Sequence, residues 1–257
     1  MYHSISDHKE SGSHPYYHIN TSPSVFSEHM RFLSDHNYTV VDLKDLKNCF
    51  DTNNKPLNKF AVITFDDGYR DFYTNAFPIL QKYHFPATVF LPTDFINEDR
   101  VTFKGRECLA WSEVRESHKK GISFGSHTLS HPELYRLSWE MVRQELLDSR
   151  LRIEDDLHTP VTNFCYPYAF PQEDQDFVLR FKQELVGQGY HFAVNTVIGR
   201  AGRESDPLSL ARLPVNHGDD EKLFKAKLLG GYDWMARAQA FVRRIKFQLH
   251  SAAPDHA

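Results

Sequence analysis

The sequence has few cysteines and no long apolar run, and both absences narrow the class of protein. Its 257 residues include three cysteines, Cys49, Cys108 and Cys165. An odd count without Cys-x-x-Cys spacing is not typical of a disulfide framework or a zinc knuckle. No apolar stretch is long enough to span a membrane, and no basic-then-apolar segment opens the chain. We therefore expect no membrane span, and either a cytoplasmic protein or a chain lacking its export signal.

The sequence also lacks an excess of charge of either sign. Lys and Arg number 30 against 34 Asp and Glu, the formal net charge is -4, and no long block of one sign occurs. A nucleic-acid partner would favour a basic face, so we expect none. The hydrophobic content of 40% suffices for one large core, so we predict a single domain over 1–257. The sequence makes no prediction of the oligomeric state.

The most informative stretch is 60–70, which reads FAVITFDDGYR. Its apolar, β-branched and aromatic residues predict a buried strand at 60–65, and Gly68 predicts a sharp turn after it. Asp66 and Asp67 therefore stand side by side at the end of a buried strand. Neighbouring carboxylates repel each other, and burying them costs free energy unless a cation or hydrogen-bond donors compensate. One Asp could cap a helix, but the second needs another explanation, for which a bound metal is the natural candidate.

Predicted strands and helices alternate about seven times without internal repeats. Strands are expected at 38–41, 60–65, 86–91, 122–126, 162–166, 190–195 and 208–215, with the tail of a further strand at 1–5. Helices are expected from Ser22-Pro23 onward and at 42–50, 70–84, 111–120, 138–157, 171–189 and 220–250, with a loop at 92–110. This alternation predicts a parallel α/β sheet, open or closed into a barrel. Both forms place their sites at the carboxyl ends of the strands.

A second group of polar residues follows the predicted strand at 122–126. His127 and His131 are four residues apart, so a helical turn would place both rings on one side. Two imidazoles and one Asp are three protein ligands, the pattern of a catalytic zinc site that leaves a place for water. Such an ion lowers the pKa of its bound water, and the other Asp could then act as general base. Zinc is favoured, while Co²⁺, Ni²⁺ or Fe²⁺ suit the same ligands.

The segments TFDDGY at 64–69 and SHTLSH at 126–131 resemble the first two motifs of the polysaccharide deacetylase family. This family is the NodB-homology domain of carbohydrate esterase family 4. The resemblance covers roughly 60–217, and the opening YHSI at 2–5 is similar to the poly-N-acetylglucosamine deacetylase branch. It implies a distorted (β/α)7 barrel that hydrolyses N-acetyl groups on a carbohydrate. The implied roles are catalytic base for Asp66 and metal ligand for Asp67, His127 and His131.

The remaining family motifs match less closely. The third, FCYPY at 164–168, lacks the Arg that precedes the Pro in many members, and Arg212 is the candidate to supply that charge. The resemblance implies an oxyanion donor at the backbone N–H of Tyr168, with Tyr166 close by. Ordinary packing is an equal alternative for both tyrosine side chains. The fourth motif suggests that Trp111 lines or supports the acetyl pocket, although a core position would also explain it.

The general acid of the family's fifth motif has its nearest match at His217, without the expected leucine spacing. His3 is the alternative, because a first barrel strand would present it at the same end of the barrel. Other substrates of the same fold and metal remain open, namely formyl groups, O-acetyl groups and cyclic amides. A non-catalytic carbohydrate-binding homologue is the alternative from a different class. The expected partner is an acetylated carbohydrate substrate.

Overall fold

A computed structural model describes residues 1–8, 10, 18–49, 59–235 and 239, and the following statements concern those residues. The strands are β1 (Ser4–Ile5), β2 (Asn20–Thr21), β3 (Thr39–Val40), β4 (Phe60–Ala61), β5 (Thr64–Phe65), β6 (Thr88–Leu91), β7 (Thr102–Phe103), β8 (Arg106–Glu107), β9 (Ser123–Ser126), β10 (Asn163–Cys165), β11 (Phe192–Ile198) and β12 (Leu210–Arg212). The α-helices are α1 (Pro23–Asp35), α2 (Leu46–Cys49), α3 (Phe77–Tyr83), α4 (Trp111–Lys119), α5 (Trp139–Leu157), α6 (Gln175–Gly187) and α7 (Glu221–Leu228).

A curved sheet of six parallel strands forms the centre of the fold. Its order is β12-β11-β10-β9-β6-β5, and every neighbouring pair is parallel. Side chains of β6 alternate between its faces, as the period of two in a strand requires. Val89 and Leu91 join the large core with the helices, whereas Phe90 joins a smaller core with Cys165 and Val194. The predicted α/β class with a parallel sheet is confirmed.

The first two residues hydrogen-bond to both edges of this sheet. The Tyr2 N–H donates to the Thr64 carbonyl at 2.9 Å, and the Asp66 N–H donates to the Tyr2 carbonyl at 3.0 Å. On the other edge, the Val215 N–H donates to the Met1 carbonyl at 3.0 Å. The opening segment therefore bridges β5 and the segment that follows β12, where the seven-stranded barrel prediction expects a further strand.

The strand predicted at 60–65 is two strands, β4 and β5, which belong to different sheets. Two further predicted elements also differ from the structure. The helix expected at 70–84 is a π-helical turn, Phe72–Ala76, followed by α3, in which Pro78 lies in the first turn. Helical backbone angles continue through Ala76 and Phe77, and the π turn lies immediately before Pro78, which has no N–H to donate into it. The loop expected at 92–110 contains the antiparallel hairpin β7–β8. Two-residue strands are too short for a periodic pattern to reveal.

The predicted C-terminal helix is described only in part. α7 begins after Asp220, whose carboxylate accepts from the Leu223 N–H as an N-cap, and it ends at Leu228. Most of the rest of the expected helix at 220–250 lies outside the described residues. The single-domain boundary at 1–257 remains a prediction. Among the described residues, no helix combines the length and apolar character that crossing a membrane requires.

Candidate metal centre and active site

Three side chains from two strand ends converge on one buried point. Oδ1 of Asp67, which follows β5, lies 3.4 Å from Nε2 of His127 and 3.2 Å from Nε2 of His131, both of which follow β9. All three residues are at most 5% exposed, and one donor atom from each lies within 4.8 Å of the others. The sequence thus indicated which residues meet here, although their role as ligands remains a prediction.

The turn after β5 aims the two neighbouring carboxylates in different directions. Asp67 has φ of 68° and Gly68 has φ of 59°, two consecutive left-handed residues. A Cβ on Gly68 would also lie 3.0 Å from Cδ2 of Leu91, so this position needs glycine for both its backbone and its packing. A non-glycine residue with positive φ is uncommon and costs free energy. The surrounding packing therefore holds Asp67 in the conformation that faces the imidazoles.

The histidine pair does not lie on a helical turn, so that part of the sequence interpretation is wrong. Thr128 and His131 both have positive φ, 69° and 58°, and the chain makes an irregular loop between them. Side-chain acceptors replace the missing helical bonds. Oγ1 of Thr128 accepts from the His131 N–H at 3.0 Å, and Glu145 of α5 accepts from two further loop N–H groups at 2.9 Å each. These contacts bring the rings to 4.7 Å between centroids.

The donor atoms of these imidazoles fit a divalent metal. Nδ1 of His127 is 2.8 Å from the Cys165 carbonyl, which can only accept, so Nδ1 carries a proton and Nε2 faces the site. Burial alone would lower the pKa of His127, but Cys165 and Asp67 outweigh it and hold that pKa well above its usual value, so a metal ion would displace the proton on Nε2. Burial lowers the pKa of His131 to about 4, against the opposing carboxylate of Asp67, so its ring is neutral at neutral pH. Two imidazole nitrogens and a carboxylate oxygen are a donor set that zinc binds in proteins.

Asp66 forms a buried ion pair beside this group, and one of its oxygens lies within 4.8 Å of a ring nitrogen of His127. Nη1 and Nη2 of Arg212, at the end of β12, donate to its two carboxylate oxygens at 2.6 and 2.7 Å. The other Arg212 N–H groups donate to Thr64 Oγ1, the Asn195 carbonyl and Cys165 Sγ, so all five have acceptors. Burial alone would raise the pKa of Asp66, but the Arg212 guanidinium outweighs it and holds that pKa well below its usual range.

His3 stands beside the same carboxylate. Its Nε2 lies 3.9 Å from Oδ2 of Asp66, and its side chain is 21% exposed. Burial lowers the pKa of His3, and the neighbouring Asp66 and Asp67 oppose that shift. His217 lies elsewhere: it is exposed, and its ring stacks on His18 at 5.1 Å between centroids. Of the two histidines considered as general acid, the structure therefore places His3 in contact distance of the predicted base.

The predicted aromatic residues divide between the site and the core. Tyr168 is 45% exposed, and its ring meets that of His131 edge-on at 4.5 Å. Tyr166 is 2% exposed and packs edge-on against Phe170, so its side chain belongs to the core. Trp111 is partly buried at the start of α4 and packs against the main core. The place predicted for Trp111 at the acetyl pocket remains a prediction.

Lys104 is a residue at the site that the sequence analysis missed. It lies at the tip of the β7–β8 hairpin, and its Nζ is 3.8 Å from Oδ2 of Asp67. The available signal was weak, since Lys104-Gly105 resembles a two-residue hairpin turn but lacks the Asn or Asp usual at its first position. Only the folded chain brings this loop over the residues that follow β5 and β9.

Comparison with known proteins identifies the family of the chain. The family model described as "Polysaccharide deacetylase" matches residues 53–182, about half of the chain. YxkH of Bacillus subtilis (strain 168), a protein named for the polysaccharide deacetylases, is 31% identical over 226 residues, which are 88% of this chain and 74% of YxkH. The chain therefore belongs to the polysaccharide deacetylase family. As a member it is a carbohydrate deacetylase, a hydrolase that acts on carbon–nitrogen bonds.

Two further comparisons concern substrate and fold. The poly-beta-1,6-N-acetyl-D-glucosamine N-deacetylase of Staphylococcus aureus (strain MSSA476) is 26% identical over 163 residues, covering 60% of this chain and 55% of that protein. The structure of the Streptococcus pyogenes deacetylase PplD in complex with acetate aligns with a TM-score of 0.75 at 23% identity, over 88% of this chain and 95% of that chain. The likeness to PplD confirms the fold.

Proposed function

We propose that the chain is a metal-dependent hydrolase that removes N-acetyl groups from an N-acetylglucosamine-type polysaccharide or oligosaccharide. The observation that carries the proposal is that two consecutive acids contact different partners. Asp67 faces two imidazole nitrogens, while Asp66 faces Arg212 and His3. Pure stabilisation would not require two buried carboxylates with such different partners.

Asp67, His127 and His131 would hold the metal ion, and two imidazole ligands favour zinc. When bound, such an ion acts as a Lewis acid and lowers the pKa of a coordinated water. Cys165 contributes through its carbonyl, which fixes the ring of His127 in the tautomer that can bind. Glu145 contributes by holding the loop that carries His131.

Asp66 is the proposed acceptor for the proton that the attacking water loses. Its ion pair with Arg212 keeps it ionised and fixes both of its oxygens, so its orientation does not depend on solvent. A positioned general base of this kind contributes about 10²- to 10⁴-fold in rate. Arg212 would therefore act as a positioning residue, in place of the family's missing Arg before Pro167.

The same end of the barrel offers a route for the proton and a donor for the oxyanion. His3 would give a proton to the leaving nitrogen, and it lies 3.9 Å from Asp66, which would take the proton of the water. The backbone N–H of Tyr168 has no acceptor within the described part of the chain, and φ of 57° holds the residue in a left-handed conformation. An unpaired N–H at this place suits an oxyanion donor, worth about 3 to 4 kcal/mol in the transition state.

The substrate class follows from the relatives. The Staphylococcus aureus relative is named for poly-beta-1,6-N-acetyl-D-glucosamine, and the aligned region spans little more than half of that protein. We therefore choose an oligomer of N-acetylglucosamine as the first substrate to test on this chain. No contact described in the site favours a formyl, O-acetyl or cyclic amide substrate. None favours a purely binding role either.

The decisive experiment measures acetate release and metal content together. Excess chelator should abolish acetate release from β-1,6-linked N-acetylglucosamine oligomers, and zinc or cobalt should restore it. Asp67→Asn should lose both metal and turnover. Asp66→Asn should keep stoichiometric metal, which also reports that its site is folded, and lose about 10²-fold or more in kcat. Full activity in a sample free of metal, or full turnover by Asp66→Asn, would refute the proposal.

A further inference from the structure

The hairpin β7–β8 carries a cation into the proposed active site. Lys104 and Gly105 form its two-residue tip, with φ of 50° and 76°. Two positive φ values suit the right-handed twist of such hairpins, and their first position normally holds Asn, Asp or Gly. Lysine at that position is strained. Backbone strain of this kind is common at functional sites, so the Lys104 side chain is a candidate for a functional role.

Fixed surroundings hold the Lys104 ammonium group in the site. Its Nζ lies 4.6 Å from the centroid of the Phe103 ring and 4.9 Å from that of the Tyr168 ring. Both rings pack against His131, at 5.1 and 4.5 Å between centroids. Asp67 is the one carboxylate within ion-pair distance of Lys104 in the described parts of the chain. The cation therefore stands beside the proposed metal ligand Asp67, with 39% of its side chain exposed to incoming substrate.

The base of the hairpin is tied to the turn that carries the acids. The Leu109 N–H donates to the Gly68 carbonyl, and the Arg70 N–H donates to the Glu107 carbonyl, both at 2.9 Å. Arg106 donates to Ser4 Oγ at 2.7 Å. Because these bonds fix the hairpin relative to Asp67, the position of the Lys104 charge is set by the fold.

Hydrolysis of an N-acetyl group leaves a free amine on the sugar, and that amine is cationic when protonated. We propose that Lys104 is a specificity-determining residue that repels sugars bearing such an amine, so the enzyme disfavours acetamido groups next to one already hydrolysed. This inference rests on the proposed function. Two unit charges about 7 to 8 Å apart, at an effective dielectric constant of about 20 to 80, change a rate or affinity about 3- to 30-fold.

The test compares two pentamers of β-1,6-linked N-acetylglucosamine, one fully acetylated and one with a single glucosamine beside the scissile acetamide. Wild type should show a kcat/KM about 3- to 30-fold higher for the fully acetylated pentamer, and 1 M salt should shrink that ratio. Lys104→Met should bring the ratio close to one. Met is as strained as Lys at this φ, so the backbone contribution is matched. Lys104→Arg keeps the charge and should keep the ratio.

Binding of the same pentamers, measured by calorimetry, separates this inference from the proposed function. Wild type should bind the amine-bearing pentamer about 3- to 30-fold more weakly, and Lys104→Met should bind both alike. Absence of acetate release with this binding preference intact would refute the proposed function alone. An unchanged ratio in Lys104→Met, equal binding of both pentamers by wild type, or binding of neither would overturn the role of Lys104.

Discussion

The buried pair of Asp66 and Arg212 gives the sharpest prediction. Their side chains are 3% and 6% exposed, and two hydrogen bonds of 2.6 and 2.7 Å join them. Arg212→Met would leave the Asp66 carboxylate buried without a counter-charge. Removal of one partner from a buried pair costs about 3 to 5 kcal/mol of unfolding free energy. We expect that loss at pH 7, together with a fall in kcat of about 10²-fold or more.

A double variant isolates the charge from the other contacts of Arg212. Arg212→Met also removes the bonds to Thr64, Asn195 and Cys165. The combination of Asp66→Asn with Arg212→Met loses those same bonds but buries a neutral amide, which costs about 1 to 3 kcal/mol. The double variant should therefore recover about 2 kcal/mol relative to Arg212→Met, although it lacks one more native group.

Urea unfolding followed by circular dichroism measures these differences in matched, metal-free samples. The free energies at zero urea, with equal slopes, give the coupling between the two side chains. A double variant no more stable than Arg212→Met would refute the argument that an uncompensated charge dominates. A single variant within about 1 kcal/mol of wild type would refute it as well, since a surface pair behaves that way.

Three further predictions test other parts of the site and its surroundings. His3→Gln should lower kcat by about 10²-fold or more and His217→Gln by less than about 3-fold; the reverse order in steady-state kinetics would return the acid role to His217. Glu145→Ala should weaken metal affinity about 10- to 100-fold in a chelator competition, because it frees the loop before His131; unchanged affinity would contradict this. Buried His29 has a pKa lowered by burial. It therefore stays neutral while the unfolded chain gains a proton, and stability falls as pH drops below about 6.5. When the unfolding free energy is measured from pH 8 to 5, its dependence on pH should be smaller in His29→Gln than in wild type, by up to about 1.4 kcal/mol per pH unit. The same dependence in both proteins would exclude the effect.

Much of the site could be predicted because it lies at strand ends. The carboxyl ends of parallel strands meet at one edge, so a strand pattern with polar residues after it indicates which side chains will gather. Asp67 and His127 were found in this way. The assignment succeeds without knowledge of the loop geometry, which explains why the helical turn expected at 127–131 was wrong while its two histidines were placed together.

Contacts between distant parts of the chain were less accessible to sequence patterns. Arg212 and Asp66 are 146 residues apart, and it was the resemblance to the family, not a local pattern, that suggested Arg212 as the charge beside Asp66. Periodicity reports local structure and the face that is buried, but it carries no information on which strand ends become neighbours across a closed barrel. The same limit hid Lys104, whose hairpin gains its meaning only when it folds over Asp67.

The residues with positive φ fall into two groups, one at helix ends and one around the proposed metal centre. Eight non-glycine residues in the described ranges have positive φ, and three of them, Asn37, His84 and His158, lie at or just beyond the C-terminal ends of α1, α3 and α5. Helices commonly end in that conformation, so these three need no further explanation. The other five are Asp67, Lys104, Thr128, His131 and Tyr168, and each is in the proposed metal centre or in contact with it. Four different loops thus place unfavourable conformations around one point. The packing of the barrel must sustain that cost, which is expected where side chains are held for a reaction and not for stability.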